Sequence, residues 1–240
     1  MDVKLGLQSY SLRKMSYEKA VETAAGLGFK FVEAYPGHLP PEKASVERAK
    51  MVSQRNNVRL VAHGVNSLQE DMSRLTDLFD FAKAVGIDVI TADPDPASLP
   101  LLDELVDRYG VAVAIHNHGP GHRYATVGEV LGAVRGHHEL IGMCLDTGHL
   151  ARAGEDVTEA VDKLGDRLRG LHLKDVDNDN NNVVIGAGRL DLRKMFRRLS
   201  GSGVLGRVPV ILEIEMNPDD PVQDIRNSFK NVQNLLQDVQ

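Results

Sequence analysis

Short apolar runs alternate with amphipathic stretches along the whole of this chain. The runs fall at about 3–10, 29–35, 58–65, 86–92, 111–117, 141–147, 168–174 and 208–215. They are rich in Val, Ile and Leu on consecutive positions, which is how a parallel strand buried on both faces reads. Helical patterns occupy 16–27, 42–56, 68–84, 98–109, 126–136, 156–165, 191–200 and 221–237. In the third of these, Leu68, Met72, Leu75, Leu78, Phe79 and Ala82, with Val85 just beyond, recur every three or four residues and mark one helical face. Val222, Ile225, Phe229, Val232 and Leu236 do the same in the last. Gly28 and Gly110 stand just ahead of the second and fifth runs and Gly86 opens the fourth, before IDVI, where a left-handed helix cap is expected.

Strand, helix and strand in repetition is the pattern of a parallel α/β protein. Eight such units in 240 residues predict one (β/α)8 TIM barrel spanning 1–240 rather than an open doubly wound sheet. A dinucleotide fold would want G-x-G-x-x-G after its first strand; after KLGLQSY comes SLRKMS instead.

Composition narrows the partners. The formal charge is −6 with no basic stripe, and Lys194, Arg197 and Arg198 read as one solvated helix face, so no nucleic-acid partner is expected. No apolar run reaches 18 residues, so no membrane span is expected. Trp is absent and aromatics make up 5%, so packing must be aliphatic. The single cysteine, Cys144, excludes an intrachain disulfide and reads as a core residue. The start of the chain shows no extended apolar segment of a signal peptide, so a cytoplasmic location is expected, with a signal removed beforehand as the open alternative.

The candidate chemistry lies where the last four apolar runs end: VAIHNHG, MCLDTGH, GLHLKD and VILEIE. Strand ends of a parallel barrel converge on one mouth, so His116, Asp146, His172 and Glu213 are predicted to surround one divalent ion. Side chains alternate along a strand, so His116 shares a face with His118, His172 with Lys174, and Glu213 with Glu215. Charged groups within aliphatic strands are costly unless paired or metal-bound. A cation explains the two glutamates of VILEIE; the alternative for Glu215 is an ion pair with Lys174 or Arg189. Glu33 in FVEAY, His63 in VAHG, His118 and His149 are candidate substrate contacts, with a satisfied core position as the alternative for His63. His137 and His138 are expected at the surface. DVDNDNNN (175–182) has Asp at positions 1, 3 and 5 of a calcium loop, but Asn180 and Gly186 replace its Gly and Glu, so it reads as a polar loop.

CLDTGHLARAGED, then RLRGLHLKDVD, then Gly186 and Gly188 with Asp191, then VILEIE, resembles the xylose isomerase-like TIM-barrel superfamily. That group includes sugar isomerases and epimerases, inosose dehydratase and apurinic endonucleases. The similarity spans most of the chain and is strongest over 111–221. It implies one divalent ion held by a carboxylate after strand five, the Asp of DTGH, the His of HLKD and a Glu on strand eight. Asp146, His172 and Glu213 match; the fifth-strand position departs, with His116 where sugar epimerases have Glu. Two imidazoles with two carboxylates suit Mn, Zn, Co or Fe better than Mg.

The resemblance implies a metal-dependent sugar isomerase or epimerase acting on a small keto-sugar or polyol through an enediolate. Glu213, Glu215 and Lys174 are the candidate catalytic residues. A lyase or dehydratase on an oxidised sugar, of inosose or 3-keto-glycoside type, is the alternative. A DNA-repair endonuclease would want basic charge and more metal ligands, and a sugar-binding barrel without metal is the non-catalytic reading. Related barrels often form dimers, so a homodimer is an open expectation.

Overall fold

The structure, a computed structural model, describes residues 3–239. Eight parallel strands close into a barrel in sequence order, the first pairing with the last. They are β1 (Leu5–Gln8), β2 (Phe31–Ala34), β3 (Arg59–Leu68), β4 (Val89–Pro94), β5 (Ala112–His116), β6 (Ile141–Asp146), β7 (Leu168–Leu173) and β8 (Val210–Leu212). Around them lie α1 (Tyr17–Gly26), α2 (Val46–Asn56), α3 (Met72–Val85), α4 (Leu99–Tyr109), α5 (Val127–Ala133), α6 (Thr147–Arg152), α7 (Val157–Leu164), α8 (Leu192–Gly201) and α9 (Val222–Gln237). The expected TIM barrel is the observed architecture.

Local chemistry sets the helix ends. Asp71 accepts the N–H groups of Ser73 and Arg74 to start α3, and Thr126 with Glu129 forms a reciprocal capping box on α5. Gly86 (φ 85°) and Gly110 (φ 66°) close α3 and α4 in the left-handed region. Gly28 instead sits one residue past the cap of α1, where Leu27 ends the helix.

Three elements differ from expectation. β3 runs on to Leu68, which pairs with Pro94, so α3 begins at Met72 rather than at residue 68. The eighth strand is short: beyond Leu212, Glu213 still donates its N–H to Leu173 O at 3.1 Å, but Ile214 turns to Ser11 Oγ at 2.8 Å. A short extra helix, α6, follows DTGH directly. The Asp/Asn segment is partly ordered, with Asp175–Val176 and Asn182–Val183 forming a small antiparallel ribbon.

The main core lies between strands and helices, while a smaller cluster of Val61, Ala62, Val89, Ala112, Ala114, Cys144 and Ile211 fills the barrel. Cys144 is a buried free thiol of that cluster. The strands approach closely at Gly6, where a Cβ would come within 2.7 Å of Ile211 Cδ1 and 2.9 Å of Phe31 O. His137 and His138 are not at the surface as expected. They are half-buried, with His137 Nδ1 2.8 Å from Asp103 Oδ2 and the His138 N–H donated to Asp103 Oδ1. Among the described residues, no helix is long and apolar enough to cross a membrane.

Candidate metal centre

Register explains why four distant residues meet. His116 pairs with Cys144 across β5 and β6, Asp146 with His172 across β6 and β7, and His172 with Ile211 across β7 and β8. Their inward side chains, with Glu213 just past β8, reach the same level of the barrel mouth. One ligating atom from each of His116, Asp146, His172 and Glu213 lies within 4.8 Å of every other, and all four residues are buried. His116 Nε2 is 3.2 Å from His172 Nδ1 and 3.5 Å from Asp146 Oδ2; His172 Nδ1 is 2.9 Å from Glu213 Oε2.

Asp146 is held both from β5 and by its own segment. Asn117 accepts the Asp146 N–H at 2.7 Å and donates to its carbonyl at 3.1 Å, acting as one more rung of the sheet. Asp146 Oδ1 accepts the His149 N–H at 2.8 Å as the cap of α6, which leaves Oδ2 to face the centre. Thr147 Oγ1 accepts the Lys174 N–H and donates to the Lys174 carbonyl, locking β6 to β7 at the rim. Asn117, which at a strand end could turn into the mouth, is instead engaged with the Asp146 backbone, and Thr147 carried no sequence signal because it acts through a backbone partner on another segment.

Lys174 supplies the countercharge. Its buried ammonium lies 2.9 Å from Asp146 Oδ2, 3.1 Å from Glu213 Oε2 and 3.2 Å from Glu215 Oε1. Burial is the largest single influence and works against ionising Asp146 and Glu213. Lys174, acting together with His116 and His149 on Asp146 and with His172 on Glu213, outweighs it and holds both carboxyls well below the usual carboxylate range. Burial likewise opposes the lysine charge, and the three carboxylates more than restore it, so the ammonium stays protonated.

The donor set fits a divalent cation. His172 Nε2 is 2.7 Å from Glu33 Oε2, while Nδ1 faces both Glu213 and His116 Nε2. Both ring nitrogens therefore meet acceptors. Burial depresses this imidazole, yet Cys144, Glu33 and Glu213 outweigh it and raise its pKa well above the ordinary histidine value. The proton on Nδ1 occupies the place that a cation would take, with Nε2–H left to donate to Glu33. Other buried atoms lack a hydrogen-bond partner: His116 Nδ1 and Glu33 Oε1 make none, and Asp146 Oδ2 has only its ion-pair contacts with Lys174 and His116. Glu33, expected to touch substrate, instead orients His172, the arrangement in which a carboxylate fixes a ligating histidine.

His63 is not brought to the mouth. β3 does not end at His63, whose ring points outward towards α3, edge-on to Phe81 with centroids 5.4 Å apart. Its Nε2 lies 2.9 Å from Leu39 O and its Nδ1 3.1 Å from Asn66 Nδ2, the closed circuit of a core histidine. His118 and His149 do reach the mouth, their rings 4.8 and 5.9 Å from that of His116. Burial, then His116, His122 and His149, hold the His118 imidazole down at about 3; burial also lowers His149. Glu215 accepts from Asn182 Nδ2 at 3.1 Å besides its contact with Lys174, while Arg189 is engaged with Asn180 and with backbone carbonyls.

Above the centre opens a cavity of about 210 Å³ walled by Gln8, Tyr10, Tyr35, His118, His149 and Glu215, among others. That is smaller than the ~300 Å³ at which drug-sized pockets begin, so the space suits a small polar molecule. Tyr10, in a short 3-10 turn after β1, and Tyr35, just past β2, meet edge to face at 5.0 Å; they end apolar runs and carried no separate signal of a role at the mouth. Asp175 was read as part of a polar loop, but its buried carboxylate accepts N–H groups from Val176, Gly186, Gly188 and Leu190. It thereby shapes the segment after β7. A Cβ at Gly188 would come within 2.2 Å of Asp175 Oδ1, which explains the second glycine of GxG.

Comparison with known proteins identifies the family and the fold. The profile of a family described as xylose isomerase-like TIM barrel matches residues 21–234. An inosose dehydratase from Geobacillus thermodenitrificans is 25% identical over 236 residues, covering 90% of this chain and 75% of that protein. One from Mesomycoplasma hyopneumoniae is 39% identical over 46 residues, and there the match spans 19% of this chain and only 15% of the relative. A solved structure of 3-keto-D-glucoside 4-epimerase from E. coli superposes with a TM-score of 0.77 at 16% identity, covering 97% of this chain and 100% of that one. At that identity the superposition speaks for the fold.

Proposed function

The chain belongs to the xylose isomerase-like TIM-barrel family, and from that membership we propose that it is a divalent-metal-dependent sugar isomerase or epimerase acting on a small keto-sugar or polyol derivative. The observation that carries this reading is the meeting of four buried ligating side chains beneath a small polar cavity. His116, Asp146, His172 and Glu213 would hold the ion. Bound there, it would act as a Lewis acid on a substrate carbonyl and neighbouring hydroxyl, acidifying the C–H beside them.

The chain's own groups divide the remaining work. Glu213 is engaged by His172 and Lys174 and its carboxyl is held low, so it serves better as ligand than as base. Glu215 lines the cavity and is partly open to it, which makes it the better group to take the proton. Lys174, fixed as an ammonium, stabilises negative charge on a substrate oxygen without giving up its proton. His118 and His149, held as neutral imidazoles chiefly by burial, line the wall supplied by β5 and β6, where neutral rings can hydrogen-bond to substrate hydroxyls.

A dehydratase reading has its own support in the inosose dehydratase similarity over 90% of the chain. It shares the deprotonation and then expels a β-hydroxyl as water. One experiment separates the two. The metal-loaded protein is incubated in D2O with ketohexoses, 3-keto-glycosides and inososes and followed by NMR. Deuterium beside the carbonyl with recovery of an isomer is the expected result. Loss of water to an enone assigns the dehydratase instead, and no exchange with any keto-sugar overturns both.

A further inference from the structure

Beside the centre lies a second cluster of ligating groups. Asp93 near the end of β4, His118 just past β5 and His122 in the following loop place one candidate ligand atom each within 4.8 Å of the others. We propose that these three side chains form a second divalent-cation site, which clips the loop over residues 117–126 to the end of β4 at the rim of the cavity.

The cluster is prearranged by contacts that do not use its ligating atoms. The His118 N–H donates to Tyr124 O at 2.9 Å and closes the loop on itself. Tyr124 Oη donates to Pro94 O at 2.8 Å, and Arg123 to Asp95 Oδ1 at 3.0 Å, so the loop is already docked on the segment carrying Asp93. Among the described residues, the Asp93 carboxylate contacts no Lys or Arg, and His122 Nε2 at 3.4 Å is its ion-pair partner. The His118 ring makes no hydrogen bond there; it packs against the rings of His122 and His116, with centroids 4.3 and 4.8 Å away.

Coordination bonds of about 2.0–2.2 Å place neighbouring ligand atoms roughly 3–4 Å apart. The Asp93–His122 separation is already such an edge, and rotations of the His118 ring and the Asp93 carboxylate would close the rest. All three residues are half-buried, so an ion can enter while its ligands stay partly shielded from water. Two imidazoles and one carboxylate with open positions suit Zn²⁺, Co²⁺, Fe²⁺ or Mn²⁺ rather than Ca²⁺. Ligation through His122 Nε2 would put its ring proton on Nδ1 and give up the long 3.3 Å contact from the Tyr124 N–H. The competing state is a plain Asp93–His122 hydrogen bond.

The test reads binding alone and needs no substrate, so it stands apart from the proposed reaction. Chelator-stripped protein is titrated with Zn²⁺ by calorimetry and with Co²⁺ by visible absorption. Wild type should take two equivalents, and Asp93→Asn/His122→Gln should take one. Asp146→Asn should lose the central ion and keep the rim ion, whose Co²⁺ spectrum should vanish once His122→Gln is added. His122→Gln alone, on a loop, guards against a folding defect in the double variant, with its melting curve as control. One equivalent in wild type, two retained in the double variant, none in Asp146→Asn, or rim binding that saturates only at millimolar ion would each overturn the site.

Discussion

His63 on β3 and His172 on β7 are both fully buried in barrel strands, and their surroundings could hardly differ more. The His63 ring faces outward into the helical layer and meets one acceptor, Leu39 O, and one donor, Asn66 Nδ2. A neutral imidazole satisfies both and needs nothing more. The His172 ring faces inward and meets a carboxylate at each nitrogen, Glu33 at Nε2 and Glu213 at Nδ1. It requires either a second proton or a cation. Burial alone therefore says little about function; the count of donors and acceptors around the ring separates a core residue from a ligand.

The sharpest way to break that contrast is to truncate each ring in turn. His172→Ala should abolish tight binding at the centre and lower kcat/KM at least about a thousandfold, since Lewis-acid help supplies several kcal/mol. Its melting temperature should move less than its metal content. His63→Ala should do the reverse. An emptied core site with an unpaired carbonyl costs about 2–4 kcal/mol, or about 5–15 °C for a chain of this size, while the metal content stays that of wild type. Metal analysis beside thermal unfolding reads both. Loss of metal in the His63 variant would show that the outer layer and the centre are not separable.

Glu33 sharpens the comparison from the other side of the imidazole. Glu33→Gln keeps the shape of the side chain but no longer presents a charged acceptor to His172 Nε2. Metal affinity at the centre should drop by about 10–100-fold with little change in folding. Calorimetric titration of the stripped variant measures it, and unchanged affinity would return Glu33 to the role of substrate contact.

What could be read from sequence follows the same division. Strand alternation and the spacing of βα units were enough to bring His116, Asp146, His172 and Glu213 to one rim, because inward parity in a closed barrel leaves no other destination. The same rule left His63 open between a rim and a core position; the core one holds because a register shift between Leu60 and Ala62 pairs His63 with Ala34 and β3 continues five residues beyond it. Glu33 was correctly placed near the mouth, but its partner is 139 residues away and carries no local signal. Asp175 was hidden in a segment rich in Asp and Asn, and only the folded loop shows that it gathers four N–H groups. Periodicity, in short, fixes which face a side chain is on and leaves its partners open.

The smallest effect concerns protons. Burial, more than the opposing influence of Leu39, Glu33 and Asn66, lowers the His63 pKa in the folded chain, whereas the unfolded chain titrates near 6.5. A second proton on Nδ1 would face the Asn66 amide N–H2, so the folded ring resists it. Below about pH 6.5 the unfolded state binds a proton that the folded state refuses, and stability falls as pH drops towards the lowered folded pKa. Above pH 6.5 both states are neutral and the contribution is present in full. The slope from one such group is at most about 1.4 kcal/mol per pH unit. Urea unfolding of wild type and His63→Gln between pH 5 and 8 isolates it, because the remaining titrating groups cancel in the difference. Wild type should lose stability relative to the variant only on the acid side. Parallel curves across that range would mean that the buried ring accepts its second proton, and the distinction drawn between the two histidines would fail.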